Sequence, residues 1–123
     1  MKFSEYKYVR PNLEEFKSKM DEQLVNIATE KDAAIEIAAV YNVFDIQDYI
    51  DSMQQIVQVR YSINTKDKFL EGEQEFLDEN SPLIQEVNQK FVNKLLDSTN
   101  RDALVKEFGS YIFEKFEVAK KTF

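Results

Sequence analysis

From Asp32 to Glu71 the chain contains neither proline nor glycine, and its apolar residues recur every three or four positions. Ile35, Ala39, Val43, Ile46, Ile50, Met53 and Val57 form a single helical stripe. The spacing predicts one long helix to about Ser62, a turn at Ile63-Asn64-Thr65, and a second long helix running back. A helix of about thirty residues is roughly 45 Å long at 1.5 Å per residue, more than the diameter of a small domain. An element of that length is a wall or a strut.

The rest of the composition agrees. The 123 residues contain only two glycines and two prolines, so turns are few and the elements long. Ten Phe and six Tyr provide bulk for a core. The fold class that follows is all-α: a long antiparallel helical hairpin with packing helices around it, a helical bundle.

Three features exclude functions. The net charge is −7, and acids are interleaved among all the Lys and Arg, which argues against nucleic acid or an anionic membrane surface as partner. No apolar run approaches membrane-spanning length. Cysteine is absent, which removes thiolate chemistry and suits a cytoplasmic location. Histidine is absent too, so this chain holds no imidazole base, no Ser-His triad and no ordinary catalytic zinc site.

Along the chain, Met1 to Arg10 reads as an extended lead-in that lays aromatics on the bundle. Asn12 with Glu15 fits a capping box behind Pro11. The first helix is expected from Leu13 to Thr29, burying Leu13, Phe16, Met20, Leu24 and Ile27. The first half of the second helix, Ala33 to Phe44, is apolar nearly all round and should be buried from more than one side. Its second half carries a polar stripe of Gln47, Asp48, Asp51, Gln54, Gln55 and Gln58, the pattern of a wet face.

Thr65 is the expected cap of the third helix, with Asp67 in its first turn. Phe69, Phe76, Leu77, Ile84, Val87, Phe91 and Leu95 hold helical phase through Pro82. A kinked continuous helix and two abutting helices with Ser81 as the new cap both fit. A short helix from Arg101 to Phe108 should end at Gly109 in an αL stop, and a last helix covers Ser110 to Phe123. The acidic run Glu71 to Glu79 lacks the ligand order of a calcium loop and reads as a solvated helix face. Arg60 sits on the apolar stripe, where a guanidinium needs an acceptor. That acceptor is either an acid on a neighbouring helix or a substrate or interface group met by Arg60, Tyr61 and Asn64.

The order Val57-x-x-Arg60-Tyr61-x-Ile63-Asn64-Thr65-x-Asp67-x-Phe69 resembles the N-terminal region of oligoendopeptidase F and related thimet-oligopeptidase-like zinc peptidases. Lys2-Phe3-x-x-Tyr6-x-Tyr8-x-Arg10-Pro11, Phe76-Leu77-Asp78-Glu79-x-x-Pro82 and the passage from Gly109 to Lys121-Thr122-Phe123 resemble further segments of that region, in the same order. The resemblance implies that residues 1–123 are one N-terminal helical domain, or a fragment, of a longer zinc peptidase. In that family H-E-x-x-H and a later Glu hold zinc, and this chain has neither.

The resemblance further implies a channel-wall portion of an enzyme that hydrolyses short peptides, itself non-catalytic. Its partner would be the catalytic domain, and its cleft or domain-interface residues would be Arg60, Tyr61, Asn64 and Thr65. The excess of apolar surface on the second helix predicts a homodimer when the chain stands alone. The alternative reading is a free-standing acidic helical-bundle interaction module that docks a partner helix.

Overall fold

A computed structural model describes residues 7–115. Among them are four helices, α1 (Leu13–Leu24), α2 (Ala33–Ile63), α3 (Lys68–Leu96) and α4 (Arg101–Phe108), with residues 111–115 helical again and no strand. At 31 and 29 residues, α2 and α3 form the long antiparallel hairpin. They pack on each other, α1 packs on both, and α4 packs on α2.

The core lies at one end of this hairpin. Phe16, Met20 and Leu24 of α1 meet Ala39, Val40, Val43 and Ile50 of α2 and Ile84, Val87, Phe91 and Leu95 of α3. Leu104, Ile112 and Phe113 close the cluster. Helix α1 has only 12 residues and, at 1.5 Å per residue, spans about 18 Å. It runs antiparallel to α2: Asn12, Glu15 and Phe16 line a cavity with Ile46, Tyr49 and Ile50, while Gln23 accepts from Asn42 at 3.1 Å. Beyond Ile50 the hairpin has no α1 beside it. Residues 7–12 take over there, without regular secondary structure.

Several expectations are corrected. Helix α1 stops at Leu24, five residues before Thr29, and the loop that follows turns through Ala28 at φ +78. Ile27 is still fully buried, from the loop. Asp67, not Thr65, caps α3: its Oδ1 accepts from the amides of Phe69 at 2.9 Å and Leu70 at 3.2 Å. Phe69 is then 64% exposed and lies off the buried stripe. Gly109 has φ +95 but ψ 154, so it ends α4 in a mirror-extended conformation, not αL.

The first half of α2 is covered on fewer sides than expected. Ala39, Val40 and Val43 are buried, but Ala34, Ile35, Ala38 and Tyr41 remain exposed. The capping box is half made, with Asn12 Oδ1 accepting from Glu15 N at 3.0 Å while the Glu15 carboxylate turns to Lys19 at 2.8 Å. Of the expected last helix, Ser110 to Phe123, Ile112 and Phe113 are buried and residues 116–123 lie outside the described residues, as do residues 1–6 of the lead-in.

Pro82 does not end the helix: α3 is one helix from Lys68 to Leu96. The ring is on the exposed side, so Leu77, Ile84 and Phe91 keep their buried phase through it. The helix nonetheless forgoes the amide bond that a residue at 82 would donate to the Asp78 carbonyl. Pro82→Ala is therefore expected to stabilise the chain by about 1–3 kcal/mol. Urea unfolding measures this, and a lower midpoint for the variant would show that Pro82 contributes packing outweighing the lost bond.

Candidate functional site

Among the described residues two carboxylates are buried, and both are chemically committed. Glu73, in the second turn of α3, is 4% exposed. Arg10 Nε donates to its two oxygens at 3.0 and 3.1 Å, and Arg10 Nη2 pairs with Oε2. Tyr8 Oη donates to Oε1 at 2.8 Å. Arg10 also lies 4.2 Å over the Phe76 ring, the Tyr8 ring meets Phe69 edge-on, and the Val9 amide points to Met53 Sδ at 3.5 Å. One glutamate thus collects the Tyr8 and Arg10 side chains of the N-terminal segment.

This corrects the reading of Glu71 to Glu79 as a uniformly solvated face. Glu75, Asp78 and Glu79 are exposed, but Glu73 falls on the α2 side of α3 one turn before Leu77. Nothing local signals it, because its partners lie 63 and 65 positions away.

The guanidinium of Arg10, first of all, and then the Tyr8 hydroxyl hold the Glu73 carboxyl below the usual carboxylate range, against the opposing effect of burial. Burial, followed by the hydrogen bond to Glu73, pushes the Tyr8 hydroxyl upward. A carboxyl with a depressed folded pKa contributes stability that is fully present above its ordinary value of 4.5 and is lost as pH falls through the folded value. The unfolding midpoint in urea is thus expected to fall between about pH 5 and about pH 3, and Glu73→Gln is expected to flatten part of that slope. Identical slopes for the two proteins would contradict the assignment.

Glu36, in the first turn of α2, is fully buried. Its Oε2 accepts from Asn100 Nδ2 at 2.9 Å and its Oε1 from the Ala28 amide at 3.4 Å. Asn100 Nδ2 also donates to the Glu30 carbonyl at 2.7 Å. Glu36 therefore pins the α1–α2 loop, including the positive-φ Ala28, to the α3–α4 loop. Its only signal in the sequence is that it is the one charged residue within the apolar block Ala33 to Phe44.

The sequence-predicted residues Arg60, Tyr61, Asn64 and Thr65 come together at the hairpin tip, about 20 Å beyond the α1-covered end at 1.5 Å per residue. Arg60 and Tyr61 are half-buried on the last turn of α2; Asn64 and Thr65 are exposed. The Asn64 amide donates to the Arg60 carbonyl at 3.1 Å, and Asn64 Oδ1 accepts from the Lys66 amide at 3.3 Å. Ile63 beside them is 79% exposed. On the polar stripe of α2, Asp48, Asp51, Gln55 and Gln58 face solvent, while Gln47 is drawn inward to donate to Asn88 Oδ1 at 3.0 Å. Partial desolvation against the helix surface and then the neighbouring Asp48 push the Asp51 carboxyl upward.

Among the described residues no three His, Cys, Asp or Glu side chains gather as a metal site, and no helix is long and apolar enough to cross a membrane. The buried carboxylates are on separate parts of α2 and α3 and are each engaged by nitrogen or hydroxyl donors. This arrangement suits holding a shape more than doing chemistry.

The family model described as Peptidase M3 N-terminal domain matches residues 3–123. The chain belongs to that family. Solved structures agree with the M3 assignment. An oligoendopeptidase F from Bacillus anthracis str. Ames superposes with TM-score 0.93 at 32% identity, over 100% of this chain and 23% of that one. Pz peptidase A, solved with an inhibitor, gives TM-score 0.94 at 30% identity over 99% of this chain and 22% of its own. Another structure described as an oligoendopeptidase F, solved at 3.1 Å, gives 0.94 at 28% over 100% and 22%. This M3 N-terminal domain therefore spans less than a quarter of the length of the solved chains it matches. No curated protein matches it in sequence.

Proposed function

We propose that this chain is the N-terminal, channel-wall portion of a zinc-dependent oligoendopeptidase that hydrolyses short peptides, and that the portion itself is non-catalytic. The single observation that carries this reading is the match of residues 3–123 to the M3 N-terminal domain together with near-complete superposition on 22–23% of peptidase chains. The chain's own residues do not fit the metal. It has no histidine, and among the described residues no acidic cluster substitutes for one. The zinc and its chemistry belong to the remainder of the parent enzyme.

Within that reading, Arg60, Tyr61, Asn64 and Thr65 at the hairpin tip are the cleft or domain-interface residues. The uncovered apolar surface supports it as well. Ala34, Ile35, Ala38 and Tyr41 form one exposed strip on α2, and Val59 and Ile63 expose a second near the tip. Surfaces of this kind mark where another body sits. In the parent that body is the catalytic domain; for the chain alone it is a second copy, and the parent works in the cytoplasm.

The purified chain is expected to cleave no fluorogenic short peptide, to retain no stoichiometric zinc, and to scatter light as a dimer. Fused to an oligoendopeptidase F whose matching N-terminal region has been deleted, it is expected to restore peptide hydrolysis. Activity or bound zinc in the chain alone, or a folded and zinc-loaded fusion that stays inactive, would overturn the proposal.

A further inference from the structure

The hairpin has two zones with different supports. Its proximal zone, Ala39 to Ile50 of α2 and Ile84 to Leu95 of α3, contributes to the shared core with α1, α4 and residues 112–113. Its distal zone buries Met53, Ile56 and Val57 against Leu70 and Leu77, and these five stand outside that cluster. Two helices packed only on each other bury one face each, which is marginal in water. What the distal zone has in addition is the extended segment of residues 7–12.

That segment touches both helices of the distal zone. Val9 reaches Met53 on α2, while Tyr8 and Arg10 reach Phe69, Glu73 and Phe76 on α3. The side-chain hydrogen bonds that Tyr8 and Arg10 make to α3 converge on Glu73. The border between the zones on α3 falls between Leu77 and Ile84, and Pro82, with its missing amide bond, lies there. A helix is most compliant where its hydrogen-bond ladder is interrupted.

We infer that residues 7–12 are a clasp, locked by Glu73, on a hairpin arm that hinges about Pro82 independently of the bundle. With the clasp closed the hairpin is one continuous strut. With it open, the distal zone, including the tip residues Arg60 to Thr65, moves while the proximal core stays intact. The Arg10 side chain is about half exposed, so the lock is reached from solvent and can be undone without unfolding the core.

Hydrogen exchange on the whole chain tests this region by region. In Glu73→Gln, amides of 53–63 and 70–80 are expected to exchange about tenfold faster or more, while those of 39–50 and 84–95 change by less than about twofold. Arg10→Lys keeps the charge but loses the two-pronged geometry, so it should give a smaller acceleration confined to the same amides. Should Glu73→Gln fail to fold, this milder variant decides by the same comparison. Adding Pro82→Ala to the clasp variant that folds should recover part of the distal protection. Equal acceleration in both zones, or no change in the distal zone, would overturn the clasp, and no recovery with Pro82→Ala would overturn the hinge.

Discussion

Everything in this structure follows from a mismatch of lengths. Helices α2 and α3 pair over about 45 Å at 1.5 Å per residue, whereas α1, about 18 Å long, covers α2 only as far as Ile50. A hairpin that outruns its bundle must cover its far end by other means or leave it bare. The chain does both. Residues 7–12 cover one side of the distal zone, and Val59, Ile63 and Phe69 remain largely in solvent.

The two buried carboxylates belong to this same problem. Desolvating a charge is costly unless it is paired or fully hydrogen-bonded, so a buried Glu persists where it connects parts that packing alone does not hold. Glu73 connects the N-terminal segment to α3 with charged and hydroxyl donors. Glu36 connects two loops at the opposite end with an amide side chain and a backbone amide. One sits at each end of the hairpin, outside the region where Phe16, Met20, Val43 and Phe91 do the packing.

Much of the fold was legible because helical periodicity is a local property. The stripe from Ala39 to Val57 gave α2 its bounds to within a residue, and Leu77, Ile84 and Phe91 carried α3 through Pro82. Failures came where distant parts decide the outcome. Helix α1 was read five residues too long because Ile27 keeps the apolar phase, although it is buried from a loop that turns at Ala28. Thr65 and Asp67 are both competent caps, and the tight turn from Asn64 selects the second. Glu73 looked like any acid in an acidic run, since Tyr8 and Arg10 are far off in sequence. Of the candidate residues, Arg60, Tyr61 and Asn64 stand out by the place of Arg60 on the apolar stripe and Thr65 only through resemblance, and the structure gathers all four at one tip.

Such a domain makes sense as part of something larger. A long strut with bare apolar strips, no histidine and a match to under a quarter of each solved peptidase chain supports the proposal of one wall of a site whose reactive groups lie elsewhere. The most direct check is to sequence the transcript beyond the codon for Phe123. The account predicts an open frame that continues into H-E-x-x-H and a later zinc-binding Glu; a stop codon immediately after Phe123 would contradict it.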